Sequence, residues 1–482
     1  MTLSTAPPPR VPSWDQLRSV ENFGHSIRVP GFVFRPTHED QVLEVLTQAH
    51  RLGYRVALRG SGRSYGDAAL ASGHWVVDMQ RMNRILAWDP QQGRLTVEPG
   101  VTVEQMWRYT LADGWWPAVV PGTMRPTAGG CAAMNVHGKN NWQTGTWGEH
   151  VTHVRVLTPT GETHDLTPDD EAFWAVLGGL GVLGVITQMT LRLKPVGSGN
   201  LDVRAWATPD LAHTLADVDA AKDDDEYVVA WVDSTARGRA RGRGQLHVAR
   251  HVPAEAEPFP RRTLDTAYQV LPDTFFGVVP KSILWRFMQP FMNDWGVRLV
   301  NTAKYRAARG GDPRASYRQS LVAFNFLLDY IPHWERAYGR GGLMQYQIFV
   351  PYDRALEVFD EVLRRTQARG VPAYLAVIKR HRPDRFWLSH AVDGFSLALD
   401  FPVRPGRTTA LLNVLAELDR LVLDAGGRFY FAKDATLRAE TARAFLGEDV
   451  IARFMALKRD WDPHDVLQTD LYRRVFGAAR AA

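Results

Sequence analysis

Residues 59–67 read RGSGRSYGD directly after the apolar run YRVAL. Gly60, Gly62 and Gly66 let successive backbone N–H groups converge, and converging N–H groups form a nest for an anion. A dinucleotide fingerprint needs G-x-G-x-x-G followed by a helix whose N-terminus faces the pyrophosphate. Gly60 and Gly62 meet the first two positions, but Tyr65 stands at the third and Gly66 comes one residue late. The following DAALASGHWVVDM runs into another strand with no room for an amphipathic helix, so Asp78, placed like a ribose-binding acid, is a decoy. The loop is expected to hold pyrophosphate through its backbone alone. There is no Walker lysine motif, which argues against ATP, and no His/Cys cluster at zinc spacing, so no metal is expected.

The elements around the loop follow from periodicity. GFVFRP (31–36) reads as a strand. Thr37 opens a helix with Asp40 three residues on, and Val42, Val45, Leu46 and Ala49 form one apolar face. Gly53 ends that helix and YRVALR (54–59) is the next strand. Further small-residue segments follow: PGTMRPTAGGCAAMNVHGKNN (121–141), TGTWG (144–148) and GGLGVLGVIT (178–187). Such loops repeated within about 130 residues fit a long, bent ligand lying across them. After LRLKPVGSGN (191–200), the runs VVAWVD, QLHVAR, MQYQIFV and FSLALDFPV predict an antiparallel sheet. Helices at 355–369 and 408–424 pack beside it, the latter stopping at Gly426–Gly427. Gln345 and Gln347 alternate, so both amides share one face of their strand, where they suit sugar hydroxyls or simply water.

Composition sets wide bounds. The 482 residues allow two or three domains, and 45% hydrophobic with 23% charged residues is an ordinary globular balance. A net charge of +5 is weak for this length. The run ARGRARGRG (236–244) is expected to be a solvated hairpin tip rather than a nucleic-acid arm, since strand-like segments flank it. Cys131 is the lone cysteine, which suits a reducing cytoplasm. MTLSTAPPPR lacks the apolar core of a secretory signal, and no apolar run is long enough to span a bilayer. The apolar stretch 275–295 is expected to be core or a buried lid, with a membrane-facing loop as the alternative.

The succession RGSGRSYGD, VEPGVTVEQM (97–106), PGTMRPTAGG, HGKN and WAVLGGLGVLGVIT resembles the FAD domain of vanillyl-alcohol-oxidase-type (PCMH-type) flavoproteins. With RAYGRGGLMQYQIFVP, LALDFPV and GGRFYFAKDATLRAET, it is most similar to the decaprenylphosphoryl-ribose oxidase family. The resemblance implies an α+β fold: a split FAD-binding domain (1–196 and 428–482) with an inserted substrate domain (197–427) built on an antiparallel sheet flanked by helices. It implies FAD held by Arg59, Gly60, Ser61, Gly62, Arg63, Ser64 and Tyr65 of the first loop. Pro121, Gly122, Thr123, Thr127, Gly129, Gly130 and Cys131 serve in the second. Asn135, His137, Gly138, Asn140, Thr144, Gly145, Gly179, Gly184 and Ile186 complete the set. Many relatives in the wider superfamily bind flavin covalently through a histidine in the first loop; Arg63 stands there, implying non-covalent FAD.

The implied reaction oxidises a secondary sugar hydroxyl, on a phosphorylated or polyprenyl-phosphate-linked pentose, to a keto-sugar. Lys433 in YFAKD lies by flavin and sugar in the family, and the alternative is a surface pair with Asp434. His137 and Lys139 in HGKN are the other catalytic candidates, with Lys139 suited to a phosphate oxygen. Gln345, Gln347, Lys379, Tyr65, Asn325 and Tyr430 are the substrate-binding candidates. The pattern departs from the family at Ala398, where it has a cysteine, at Asn325, where it has a tyrosine, and at Asn141, where it has a second histidine. An NAD(P)-dependent reductase completing an epimerisation and attachment to a membrane surface are the implied partners. An aldonolactone oxidase is the rival enzyme, but its His-Trp-x-Lys motif is replaced by FAKDATL; a non-catalytic nucleic-acid module is the rival of another class.

Overall fold

In the computed structural model, which describes residues 11–275 and 278–477, Val42, Leu46 and Ala49 lie fully buried along the helix Glu39–Arg51. The helix starts two residues later than its sequence predicts. Thr37 turns its N–H and hydroxyl to Gln41 Oε1, at 2.8 and 3.1 Å, and forms no capping box with Asp40. Gly53 ends the helix at φ +73°, which L side chains avoid. The strands on either side of it, Arg28–Phe34 and Val56–Arg59, flank Trp75–Asp78 as parallel neighbours, with Leu17–Glu21 on the antiparallel edge. Asp78 caps the turn Met79–Arg81 and pairs with Arg35, a structural role. The stretch MTLSTAPPPR lies outside the described residues.

A second sheet of five antiparallel strands runs in the order Ile85–Asp89, Arg94–Val97, Val185–Arg192, Val151–Leu157, Thr163–Leu166. From Asn200 the chain builds an eight-stranded antiparallel sheet. Its order is Ser316–Ser320, Asn200–Thr208, Gly244–His251, Tyr227–Val232, Leu375–His381, Gly394–Pro402, Leu343–Pro351, Arg428–Phe429. Helices Leu211–Ala221, Ala355–Ala368 and Thr408–Asp424 pack on this sheet and on one another. Tyr346 points to the helices, its hydroxyl donating to Asp419 Oδ1 at 3.0 Å. Its neighbours Gln345 and Gln347 therefore face the other way.

The arginine-rich run is the connection between Tyr227–Val232 and Gly244–His251. Arg237 and Arg239 are exposed there, while Arg241 pairs with Asp360 and Arg243 with Asp233. The stretch 275–295 differs from its expected burial. Its described part exposes Val278, Phe287, Phe291 and Trp295, the last at 81%. The short helix Leu284–Met288 packs on Trp334–Tyr338, and among the described residues no second layer covers the exposed Phe287 and Phe291.

The C-terminal segment binds the parts together. Lys458, fully buried, donates to the carbonyls of Val182 and Leu467 and pairs with Asp462 at 2.5 Å. Arg474 forks onto both oxygens of Asp67, at 2.7 and 3.0 Å, and onto Asp434 at 3.0 Å, and also donates to the Leu437 carbonyl. Gly66 fits between them only because it lacks a Cβ, which would stand 1.6 Å from the Asp434 carbonyl oxygen. Removing the shared cation strands two mostly shielded carboxylates. Urea unfolding of Arg474→Met is expected to show a loss of up to about 3–5 kcal/mol, and Arg474→Lys, which keeps the charge but not the fork, a smaller one.

Candidate active site

The glycine-rich segments converge on one cavity of about 320 Å³. Arg59–Tyr65 forms one wall, Pro121–Gly130 and Val136–Lys139 contribute to a second, and Leu180–Ile186 to a third. The floor is the exposed face of the eight-stranded sheet. Gln345 pairs in register with Asp400 and Gln347 with Ala398; on the other side Val377 opposes Ala398 and Lys379 opposes Ser396. All seven line the cavity, because residues two apart on a strand share a face. Tyr430, Ala432 and Lys433 close one side. Leu327 and Leu328 close another, held by Asp329, which accepts from Thr123 Oγ1 and Met124 N at 2.8 and 2.7 Å.

The first wall fits a pyrophosphate. Among the described residues, the N–H groups of Ser61, Gly62, Arg63 and Ser64 make no hydrogen bond within the chain. Arg63 Nε is buried without a partner, and burial lowers the guanidinium's pKa, so the site favours an incoming anion. Gly181 is at φ +68° with nothing closer than 3.8 Å to an added Cβ, so its bare backbone forms part of the cavity wall. These features together suit the phosphates of a long ligand such as FAD.

The other end carries proton-handling groups. Gln347 Nε2 donates to His137 Nε2 at 3.1 Å, which places the ring proton on Nδ1, an atom with no partner. Burial, with Lys379 nearby, drives the His137 pKa well below its ordinary value, so the ring is neutral. Lys433 Nζ sits 3.7 Å above the Tyr65 ring. Asp434 pairs with Arg474 instead, so the surface ion pair with Lys433 does not form. Burial pushes the Lys433 ammonium down and the Asp400 carboxyl up, and each charge opposes the other's shift. Lys379 is lowered to about 8 by burial. Among the described residues neither Lys379 nor Lys433 has a hydrogen-bond partner for its ammonium.

Several expected contacts lie elsewhere. Lys139 reaches the cavity wall but spends its ammonium on the carbonyls of Phe324 and Asn325, at 2.6 and 2.8 Å, so it clamps the helix Leu321–Asn325 instead of meeting a phosphate. Asn325 is buried under that helix and donates to the Leu321 carbonyl. Cys131 faces the core, where burial raises its thiol pKa. Asn135, at φ +41°, accepts from Gly148 N, and Asn140 donates to Ala118 O and Glu226. Gly138 turns tightly beneath Asn140, Thr144 and Gly145 end the helix Asn141–Thr144, and Gly179 packs on the Ala175 carbonyl. These are scaffold positions one layer behind the cavity. The remaining predicted residues of the loops, and Gln345, Gln347, Lys379, Tyr65, Tyr430, His137 and Lys433, line it.

Asp400, Ser396, His381 and His390 went unread in the sequence. Asp400 was legible as a lone acid in the apolar strand LALDFP. His381 and His390 come from separate segments and meet His137 at ring distances of 4.9 and 5.4 Å, a contact no spacing predicts. Among the described residues, no group of three or more His, Cys, Asp or Glu is placed to hold a metal.

Comparison with known proteins gives the same cofactor. The FAD binding domain family matches residues 30–167. The decaprenylphosphoryl-beta-D-ribose oxidase of Mycolicibacterium smegmatis is 32% identical over 464 residues, covering 94% of this chain and 96% of that protein. The L-gulono-1,4-lactone dehydrogenase of Mycobacterium tuberculosis is 31% identical over 36% of this chain and 40% of its own. The D-arabinono-1,4-lactone oxidase of Eremothecium gossypii is 28% identical over 34% of this chain and 32% of its own.

Burial holds His390 at a pKa of about 3, neutral in the fold, whereas the unfolded chain protonates it below about 6.5. The unfolded state then binds more protons, so this residue lowers stability as pH falls from about 6.5 towards 3, by ~1.4 kcal/mol per pH unit. Urea unfolding between pH 7 and 5 is expected to decline less steeply for His390→Asn than for the wild type.

Proposed function

The chain belongs to the family of FAD-linked oxidoreductases that includes decaprenylphosphoryl-beta-D-ribose oxidase, and from that premise we propose that it oxidises a secondary hydroxyl of a phosphorylated or polyprenyl-phosphate-linked pentose to the keto-sugar. The observation that carries this reading is one cavity with an anion nest on one wall and a sheet face of amides, a carboxylate and two lysine side chains on its floor. The domain split in this reading is 1–196 with 428–482 for FAD and 197–427 for the substrate.

FAD supplies the two-electron acceptor when bound. The backbone of residues 60–64 and Arg63 hold its phosphates, and Arg63 in place of a histidine leaves the link non-covalent. Lys379 takes a substrate phosphate oxygen, the role its unpaired ammonium suits and that of Lys139 does not. Lys433 orients the reacting hydroxyl and, as the neutral amine that burial favours, takes the proton that leaves its oxygen. His137, neutral and fixed by Gln347, offers a second hydrogen-bonding atom beside it. The cavity wall keeps water from the reacting carbon. An NAD(P)-dependent reductase then returns the ketone to an alcohol of inverted configuration. Full-length similarity to the ribose oxidase, against about a third for the lactone enzymes, favours the pentose over an aldonolactone.

The exposed Phe287, Phe291, Trp295 and Leu299 suit a lipid-linked substrate presented at a membrane surface. Among the described residues no helix is long and apolar enough to cross a membrane. The paired substitution Phe287→Ser with Trp295→Ser is expected to abolish flotation with phosphatidylglycerol vesicles; equal soluble fractions for wild type and variant would remove the membrane face.

The purified protein is expected to show a flavin spectrum that moves wholly to the supernatant on acid precipitation. Ribofuranosyl phosphates should bleach it anaerobically and aldonolactones should not. Lys433→Met should keep the spectrum and slow bleaching at least about 100-fold. Bleaching by lactones alone would replace the pentose reading.

A further inference from the structure

Asp400 and Gln345 stand opposite each other on neighbouring antiparallel strands, and both side chains enter the cavity. Gln345 Nε2 donates to Asp400 Oδ1. That bond fixes both groups and uses one oxygen of the carboxylate. Asp400 Oδ2 and Gln345 Oε1 remain, both buried and both without a partner among the described residues. The residues are 1% and 8% exposed, so bulk water does not serve these atoms. Buried acceptors are satisfied by donors, and leaving them bare costs free energy.

The ligand that satisfies them has a definite chemistry. It brings two donors side by side, since the acceptors sit on one register pair. It is not a cation, because the ammonium groups of Lys379 and Lys433 line the same cavity. Neutral adjacent hydroxyls on a molecule that carries its charge as an anion meet both conditions. We propose that Asp400 and Gln345 form an acceptor pair that reads a vicinal diol, so that adjacent ring hydroxyls are required for recognition. This rests on the sugar reading above and adds the residues that select within it. Ala398, two residues back on the same face and small, leaves room for the ring beside the pair. Asp400→Asn changes no volume but turns the free acceptor into a donor, while its own amide oxygen still receives Gln345.

The test is an anaerobic calorimetric binding cycle on dithionite-reduced holoenzyme, in which turnover is silent. The probes are β-D-ribofuranosyl 1-phosphate and its 2-deoxy and 3-deoxy analogues. For the wild type, loss of a hydroxyl that meets an acceptor is expected to weaken binding about 10- to 100-fold. In Asp400→Asn the parent sugar should weaken by a similar factor, and the penalty for one deoxy analogue should shrink below about threefold, since that partner is already gone. A visible flavin spectrum and melting temperature like the wild type's establish that the variant is folded. If it does not fold, Gln345→Met takes its place in the same cycle and should abolish the penalty for the other hydroxyl. Equal deoxy penalties in wild type and variant would overturn the acceptor pair and leave the sugar reading standing. A wild type that binds none of the three better than inorganic phosphate would overturn both.

Discussion

The Arg474 guanidinium, shared between Asp67 and Asp434, is the joint on which the site depends. Asp67 ends the glycine loop and Asp434 follows Lys433, so one side chain from the C-terminal helix Asp470–Phe476 registers the cofactor wall against a proton-handling group. The fit tolerates no side chain at residue 66, and the Tyr65 N–H continues the seam by donating to the Ala432 carbonyl at 2.9 Å. The same seam brings the Tyr65 ring beneath the Lys433 ammonium. Among the described residues the N–H groups of residues 61–64 stay unbonded because this packing, and no ladder of their own, fixes the loop.

Desolvation governs the chemistry of the opposite end. His137, His381 and His390 are buried and neutral, and buried Asp400 and half-buried Lys433 carry charges that sustain each other. A carboxylate in this position would otherwise be costly. The floor achieves this with a sheet whose other face is covered by helices, so residues two apart supply its functional groups without a loop. Floor and glycine walls differ in what they present: one offers side chains, the other bare backbone N–H groups.

Much of this was legible in the chain. The glycine segments announced close backbone approach, and the failure of the Rossmann spacing correctly excluded a helix behind the first loop. The alternation in MQYQIFV put Gln345 and Gln347 on one face, and the helices near 355–369 and 408–424 followed from their apolar period. Strands such as Asn200–Thr208 and Leu375–His381 went unread because charged residues stand among their apolar ones: Asp202 and Arg204 pair with Arg250 and Asp225, Lys379 lines the cavity, and Arg380 pairs with Asp219 and Asp393. The stretch 275–295 was misjudged because apolar composition measures what prefers burial, not whether another layer is available to bury it.

By itself the sequence determined the local geometry: which segments could expose N–H groups, which strands presented polar faces, and which loop was shaped for an anion. These properties depend on neighbours within a few residues, through backbone freedom and side-chain period. Only the tertiary structure decided which of the polar groups were left unspent. Lys139 and Lys379 are both lysines in strand-like or loop contexts, yet the fold gives two carbonyls to the first and none to the second. Cys131 and Asn325 turn into the core while Asp400 turns into the cavity, because those outcomes are set by segments some hundred or more residues away meeting in space.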